Sequence, residues 1–482
     1  MKGSERKRTK ILCTLGPSCM KVGTLRDMIN VGMDGARLNC SHGDRREHRA
    51  LVKAVRTAER AAGRPVALVL DLQGAKVRIG EMEEGGAFLK PGQALTITTE
   101  TVVGNSSRVS TDHASFPSEV EKGETISLAD GEIRLRVTGV SKRVVECVVI
   151  YGGVLQSHKG INYRRRGKDV RPLTQKDWGD LKFGIEAGAD FVAVSFVASG
   201  KDIREVRDFL ADNGSDIHVI AKVERSEALK NLDGLMTASD GIMVARGDLG
   251  LEIPIQDVPL VQKKILSACA ASSKLAITAT HMLESMIWNP VPTRAEVLDI
   301  ANAAIDGTDA LMLSGETAVG KHPVDAVRTM ASVAKRAESI CKEDVRLHTD
   351  LREDMRITNT VGHAACLVAE NLRAEAIIPF TLSGSTARLI SKYRPHIRIM
   401  AATPEKKVMR RTSLYWGVEP LLVDRANTTD RMIAAIERTM KERKHLRKGD
   451  LCVITAGVPL FVRGRTNLIK VHRIGSGNWD LL

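Results

Sequence analysis

Apolar runs that end in polar or charged residues recur along the chain at residues 11–16, 36–41, 66–72, 191–196, 219–224, 242–248, 275–280 and 311–316. Between most of them lies one helical pattern, as at residues 24–31, 48–62 and 203–213. An apolar run of this length reads as a strand covered on both faces, and a helical crossover brings the next strand back parallel to it. Eight such strand–helix units predict an α/β fold, a (β/α)8 barrel whose site lies at the carboxyl ends of the strands. At those ends the chain carries Arg37, Asn39, Ser41, Asp71, Ser195, Lys222, Glu224, Asp248, Thr280, Ser314 and Glu316.

Charge is densest in residues 221–250. Lys222 and Glu224 close the fifth run, and Arg246 and Asp248 close the sixth. A strand alternates faces with period two, so each pair is expected to point one way and the two carboxylates and two cations to converge. The intervening residues 226–238 are long enough for a crossover helix, which would place both ends on one rim. For one strand this pattern would read as a rim salt bridge; for two in succession a site is the better reading.

One connection breaks the rhythm. Residues 74–171 are far too many for a βα loop and must form an inserted domain. Ala94-Leu95-Thr96-Ile97-Thr98 and Ile133-Arg134-Leu135-Arg136-Val137 alternate apolar and polar residues, with turn pairs at Pro91-Gly92 and Asp130-Gly131. The expectation is a small antiparallel β-barrel over residues 74–170, hanging over the site as a lid. The barrel would then comprise residues 1–73 and 171–340. Strand patterns restart at 376–381, 397–402, 418–423 and 451–455, with helices at 386–393, 406–415 and 429–441, so residues 341–482 read as a separate α/β domain. There Thr381, Leu382, Ser383, Gly384, Ser385 and Thr386 run from strand to helix, presenting hydroxyls and N–H groups suited to an anion. A plain N-cap would account for one hydroxyl and leave three.

Composition narrows the function classes. The chain has 482 residues, 43% hydrophobic and 27% charged, and no apolar run of membrane-span length. Its basic N-terminus leads into a short apolar strand rather than a signal-peptide core, so a cytoplasmic location and no membrane partner are expected. The cysteines are scattered with no C-x-x-C pair, which argues against a disulfide framework or a zinc site. The formal charge of +14 suggests nucleic-acid binding, but basic residues are dispersed apart from runs at 164–166 and 441–448, and aromatics are only 3%. Anionic small substrates explain the charge more simply, and no nucleic-acid partner is expected.

Taken together and in order, RTKILCTLGPS, ARLNCSHG, VLDLQGAKVRIG, AKVERSEAL, IMVARGDLGLEIP, ITATHMLESM, PTRAEVLDIANA and LMLSGETAVGKHP resemble the pyruvate kinase family over nearly the whole chain. The resemblance implies the same barrel, lid and C-terminal domain. It also implies transfer of a phosphoryl group from phosphoenolpyruvate to ADP, giving pyruvate and ATP. By that resemblance Lys222 stabilises the phosphoryl group in flight, while Arg37 and Arg78 hold phosphates. Glu224 and Asp248 are hard ligands for Mg²⁺ or Mn²⁺. Thr280, Ser314 and Glu316 match the route that protonates the enolate through an oriented water. The backbone of Ala245, Arg246, Gly247 and Asp248 would receive the substrate carboxylate, with Ser195 beside it. Asn39, Ser41, His42, Arg78, Lys159 and Asp130 match positions near the nucleotide or its metal; for His42 and Asp130 a turn role is an equal alternative. Thr381, Ser383, Gly384, Ser385 and Thr386, with the 464–466 loop, match where relatives bind a phosphorylated effector, and a homotetramer is the family's common assembly.

Two departures matter. Many family members hold K⁺ on oxygens matching Asn39, Ser41, Asp71 and the Leu72 carbonyl and carry a glutamate where this chain has Lys76. A tethered ammonium could replace that cation, so activity without K⁺ is expected; the alternative is a solvated hinge residue. His281 stands where the family usually has glutamine, beside Thr280. Two rival functions remain: a metal-dependent aldolase or lyase of pyruvate chemistry, which would not consume ADP, and a non-catalytic RNA-binding role.

Overall fold

The computed structural model describes residues 7–163, 172–340, 356–460 and 466–476. Its organising feature is a closed parallel barrel of eight strands. These are β1 (Lys10–Thr14), β2 (Gly35–Asn39), β3 (Ala67–Asp71), β4 (Phe191–Val194), β5 (His218–Val223), β6 (Gly241–Ala245), β7 (Leu275–Ala279) and β8 (Ala310–Leu313). Each pairs in parallel with its neighbour in sequence, and β8 closes on β1. The uninterrupted apolar runs are explained by burial on both faces. Leu12, Val69, Phe191, Ile220, Met243, Ile277 and Met312 fill the barrel, while Ile11, Leu38, Leu70, Val192 and Val244 pack outward into the cluster under the helices.

The strands stop earlier than the sequence predicts. The sixth run was expected to extend through Asp248, but β6 ends at Ala245 and Arg246–Glu252 is a helix. Asp248 lies in its first turn, where a carboxylate favours the helix N-terminus. Successive residues there turn by about 100° rather than alternating, so Arg246 and Asp248 do not share a face. The crossover at 226–238 is two short helices, Ser226–Lys230 and Leu232–Ala238.

Between β3 and β4, a six-stranded sheet curls around its own core of Ile97, Phe116, Leu128, Leu135 and Val149. Strands Ala87–Leu89 and Gly153–Leu155 form a separate two-stranded ribbon. Most ladders are antiparallel, but Ala94–Thr98 and Arg108–Ser110 run parallel. The outgoing and returning connections are tied by Ala75 N–H to the Pro172 carbonyl at 3.0 Å and Gly74 N–H to Asp177 Oδ1 at 3.1 Å. The turn Ala129–Gly131 seats this unit on the helix after β6: a Cβ on Gly131 would lie 2.6 Å from Leu251.

The C-terminal sheet contains β9 (Ala376–Pro379), β10 (Arg398–Thr403), β11 (Val418–Leu422), β12 (Leu451–Ala456) and β13 (Leu468–Arg473), in the order β11-β10-β9-β12-β13. Neither β13, an antiparallel edge strand with incompletely buried residues, nor the helix Arg356–Asn371 was anticipated. This unit closes the amino-terminal mouth of the barrel, because Leu414, Tyr415 and Ile390 are continuous with the barrel interior. Polar ties reinforce the junction: Lys10 Nζ donates to the Val418 carbonyl at 2.7 Å, Arg8 Nη1 to Pro395 at 2.7 Å and Ser413 Oγ to Asp34 at 3.0 Å. With that mouth covered, the carboxyl ends face the lid. Among the described residues, no helix is long and apolar enough to cross a membrane.

Two lysines near this junction are buried unusually deeply. Burial lowers Lys10 to about 8, a shift Asp34 only partly opposes, and burial alone lowers Lys392 to about 8. Between about 8 and the ordinary 10.5, the unfolded chain still binds a proton that the folded chain has released, so these groups make stability rise with pH across that window. For Lys392→Met, the melting temperature relative to wild type should therefore fall as pH is raised from about 7.5 to 9.5. A difference independent of pH in paired thermal melts would contradict this.

Candidate active site

At the carboxyl rim, the last residue of β3 binds cations from two other strands. Asp71, 1% exposed, accepts from Arg37 Nε at 2.6 Å through Oδ2 and pairs with Lys222 Nζ at 3.2 Å through Oδ1. Arg37 Nη1 reaches Thr14 Oγ1 on β1 at 2.9 Å. Lys222 Nζ also donates to Ser195 Oγ at 2.7 Å and pairs with Glu224 Oε1 at 2.8 Å. The Ser195 hydroxyl in turn donates to the Leu72 carbonyl at 2.7 Å. Burial would raise Asp71, but Lys222 and Arg37 hold it below the usual carboxylate range. Burial would lower Lys222, but Asp71 and Glu224 together raise it, so its ammonium stays charged through the neutral range.

Glu224 lies one residue beyond β5 and is fixed by Phe196 N–H, which donates to Oε2 at 2.6 Å. Burial raises its pKa; Lys222 opposes this and the nearby Asp248 adds to it. Asp248 pairs through Oδ1 with Lys76 Nζ at 3.4 Å. Glu224, Asp248 and Lys76 line one crevice with Asn162 and Tyr163 of the lid. Two carboxylates of like charge, each held by an ammonium, suit a hard divalent cation that keeps water or substrate oxygens as its other ligands. Among the described residues, no cluster of three or more His, Cys, Asp or Glu could hold a metal without such added ligands.

Arg246 departs from the expected convergence. Its guanidinium turns toward β7, donating to Asp299 Oδ1 at 2.7 Å, the Thr280 carbonyl at 2.7 Å and the Ala279 carbonyl at 3.3 Å. Gly247 N–H donates to Thr280 Oγ1 at 2.8 Å. Buried Glu316 accepts from Leu283 N–H at 3.0 Å and Ser314 N–H at 2.6 Å, tying the loop after β7 to that after β8. Burial raises its pKa although these N–H groups oppose the shift. Both of these bonds are to backbone N–H groups, which makes Glu316 a brace between loops.

Asn39 Oδ1 accepts from Ser41 N–H at 3.1 Å in a tight turn. His42 is exposed beside the cations, and partial burial with the charges of Arg78, Arg37 and Lys76 lowers its pKa. Arg78 belongs to the lid side, with N–H to Asp112 at 3.1 Å and Nη1 to the His158 carbonyl at 3.1 Å. Lys159 is half-buried on the adjoining lid segment, and the Asp130 backbone lies in the turn that meets Leu251, while its side chain is outside the described set. Sequence reasoning missed Thr14 and Asp299. Thr14 had the same rim signal as the other strand ends, whereas Asp299 lies within helix Arg294–Ile305 and had no local signal.

The C-terminal turn is held by its own hydroxyls. Thr381 Oγ1 accepts from Gly384 N–H at 2.8 Å, Thr386 Oγ1 from Thr466 Oγ1 at 3.1 Å, and the Ser383 and Ser385 hydroxyls are 3.0 Å apart. The hydroxyls left over by a simple cap thus have partners within the chain. Thr381 and Thr386 are buried, Ser383 is half-buried and Ser385 is exposed. Residues 464 and 465 of the expected loop, like the basic run at 164–166, lie outside the described residues.

Comparison with known proteins agrees with this architecture. The family description "Pyruvate kinase, barrel domain" matches residues 6–327, and "Pyruvate kinase, alpha/beta domain" matches residues 359–472. The pyruvate kinase of Geobacillus stearothermophilus is 43% identical, the match covering 97% of this chain and 81% of the relative. That of Clostridium acetobutylicum is 40% identical over 97% of this chain and 99% of its own. A crystal structure of a pyruvate kinase from Cryptosporidium parvum superposes with a TM-score of 0.89 at 36% identity, covering 97% of this chain and 96% of that one.

The Lys76–Asp248 pair makes the ammonium a competitor for any cation at Asp248. Lys76→Met should bind Mn²⁺ about 2- to 5-fold more tightly than wild type without substrates, measured by electron paramagnetic resonance of free Mn²⁺. Equal affinities would show that the ammonium does not compete.

Proposed function

The chain belongs to the pyruvate kinase family, a phosphotransferase family whose activity implies a divalent metal, and from that premise we propose how its own residues carry the reaction and why K⁺ is not required. The substrates are phosphoenolpyruvate and ADP, and the products pyruvate and ATP. The observation that carries the proposal is the Lys222 ammonium, held at the strand ends between Asp71, Glu224 and Ser195.

Phosphoryl transfer depends mainly on alignment and charge neutralisation. Lys222 and Arg37 neutralise the transferring group, with Asp71 holding both cations toward one point and Ser195 fixing Lys222. Arg78, brought by the lid segment, completes the phosphate contacts, while the backbone from Ala245 to Asp248 receives the substrate carboxylate. Asn39, Ser41, His42, Lys159 and Asp130 contribute to the nucleotide side. Glu224 and Asp248 would hold Mg²⁺ or Mn²⁺, which supplies charge neutralisation at the phosphates and the enolate oxygen. After the P–O bond to the enolate breaks, the methylene carbon takes a proton from a water oriented by Thr280, with Ser314 and Glu316 bracing that side of the site. A phosphorylated effector would meet Ser383 and Ser385 in the Thr381–Thr386 turn. The working form is proposed to be a cytoplasmic homotetramer.

Independence from K⁺ is supported by what already occupies three of the four implied K⁺ oxygen groups. Asp71 binds Arg37 and Lys222, the Leu72 carbonyl accepts the Ser195 hydroxyl, and Asn39 Oδ1 accepts Ser41 N–H. Lys76 supplies its positive charge on the same rim, where its ammonium pairs with Asp248 at 3.4 Å. Pyruvate formation from phosphoenolpyruvate and ADP with Mg²⁺ should be strong in buffer scrubbed of K⁺ and NH₄⁺ and change less than about twofold when K⁺ is restored. Dependence on K⁺ would retain the kinase and remove the role of Lys76. Pyruvate formation without ADP would favour an aldolase or lyase.

A further inference from the structure

Thr280 and His281 follow β7 in consecutive left-handed conformations, with φ of 71° and 54°. A β-branched residue adopts that conformation only when its surroundings enforce it. The enforcing group is on the neighbouring strand end: Arg246 grips the Ala279 and Thr280 carbonyls and the Met282 sulfur, and Asp299 Oδ1 holds the same guanidinium at 2.7 Å. Gly247 N–H, the next donor along the chain, occupies a lone pair of Thr280 Oγ1 at 2.8 Å, while that hydroxyl donates to the Ala279 carbonyl at 2.6 Å. Backbone and side chain of Thr280 are thereby fixed from one direction. The Arg246 side chain is 13% exposed, and its bonds run to Ala279, Thr280, Met282 and Asp299 rather than to the group around Asp71.

We propose that Arg246 and Asp299 form a positioning clamp for the protonation half of the reaction, separate from the Asp71-centred group that serves phosphoryl transfer. Arg246 thus acts through its side chain on Thr280, while its backbone remains on the substrate side. This rests on the reading of Thr280 as the residue that orients the proton-donating water. The clamp holds the hydroxyl where that water can reach the methylene carbon, and in reverse the water takes a methyl proton from pyruvate while the C–H electron pair enters the enolate. Neither step needs a redox partner.

The two halves can be measured separately in the holoenzyme. Exchange of pyruvate methyl protons with D₂O, followed by NMR in the presence of Mg²⁺ and ATP, reports proton transfer; ATP formed in a single turnover from phosphoenolpyruvate and ADP reports phosphoryl transfer, which precedes protonation. In Arg246→Ala and Asp299→Asn, exchange should fall by about 10-fold or more beyond any fall in single-turnover ATP formation, with KM for phosphoenolpyruvate within about twofold in Asp299→Asn and with Arg246→Lys intermediate. Asp299→Asn preserves size and carries the test if Arg246→Ala does not fold, judged by thermal melting. Equal falls in both rates, or unchanged exchange, would overturn the clamp. Thr280→Val separates the underlying reading: if it leaves exchange intact, Thr280 is not the orienting residue and the clamp falls with it, whereas slowed exchange in Thr280→Val alone refutes only the clamp.

Discussion

A buried carboxylate with two cations on it organises the rim of this barrel. Asp71 is withdrawn from water, and an isolated charge there would be costly. Arg37 on β2 and Lys222 on β5 compensate it, so strands brought together by barrel closure share one electrostatic unit. Breaking such a group leaves an unpaired buried charge, costing about 3–5 kcal/mol in comparable cases. What the arrangement provides is direction: cations held on a fixed carboxylate need little reorganisation when charge beside them changes.

Around this unit the rim divides by strand. The ends of β2, β3 and β5 supply the cations Arg37 and Lys222, the carboxylate Asp71 that holds them, and Glu224. The helix after β6 and the loops after β7 and β8 form a second unit, in which Arg246 holds Thr280 and Glu316 joins the two loops. Asp248 lies between them and is paired with Lys76, which follows the tied hinge of the lid. A change in that pair would therefore be felt in the lid connection. At the opposite mouth, the continuous core through Leu414 and Tyr415 makes the C-terminal unit the floor of the barrel.

Much of this was legible because the relevant physics is local. Strands covered on both faces must be apolar throughout, and their polar ends mark the rim, so the fold and Lys222, Glu224, Asp71 and Arg37 could be read in order along the chain. The over-long sixth strand came from reading Arg246 and Asp248 as a continued alternation, whereas the apolar run stops at Ala245 and the chain turns there into the helix Arg246–Glu252, with Leu249 buried. The edge strand β13 was missed because its incomplete burial leaves mixed residues instead of an apolar run.

The barrel, the insertion after β3, the C-terminal α/β unit and the family all follow from periodicity, spacing or ordered motifs along the chain. The partners of the charged groups were set by folding: Lys76 meets Asp248, Arg246 turns to Asp299 and Thr280, and Glu316 braces backbone. Long side chains choose among acceptors that are distant in sequence, and that choice depends on strand endings and burial that arise only when the barrel closes.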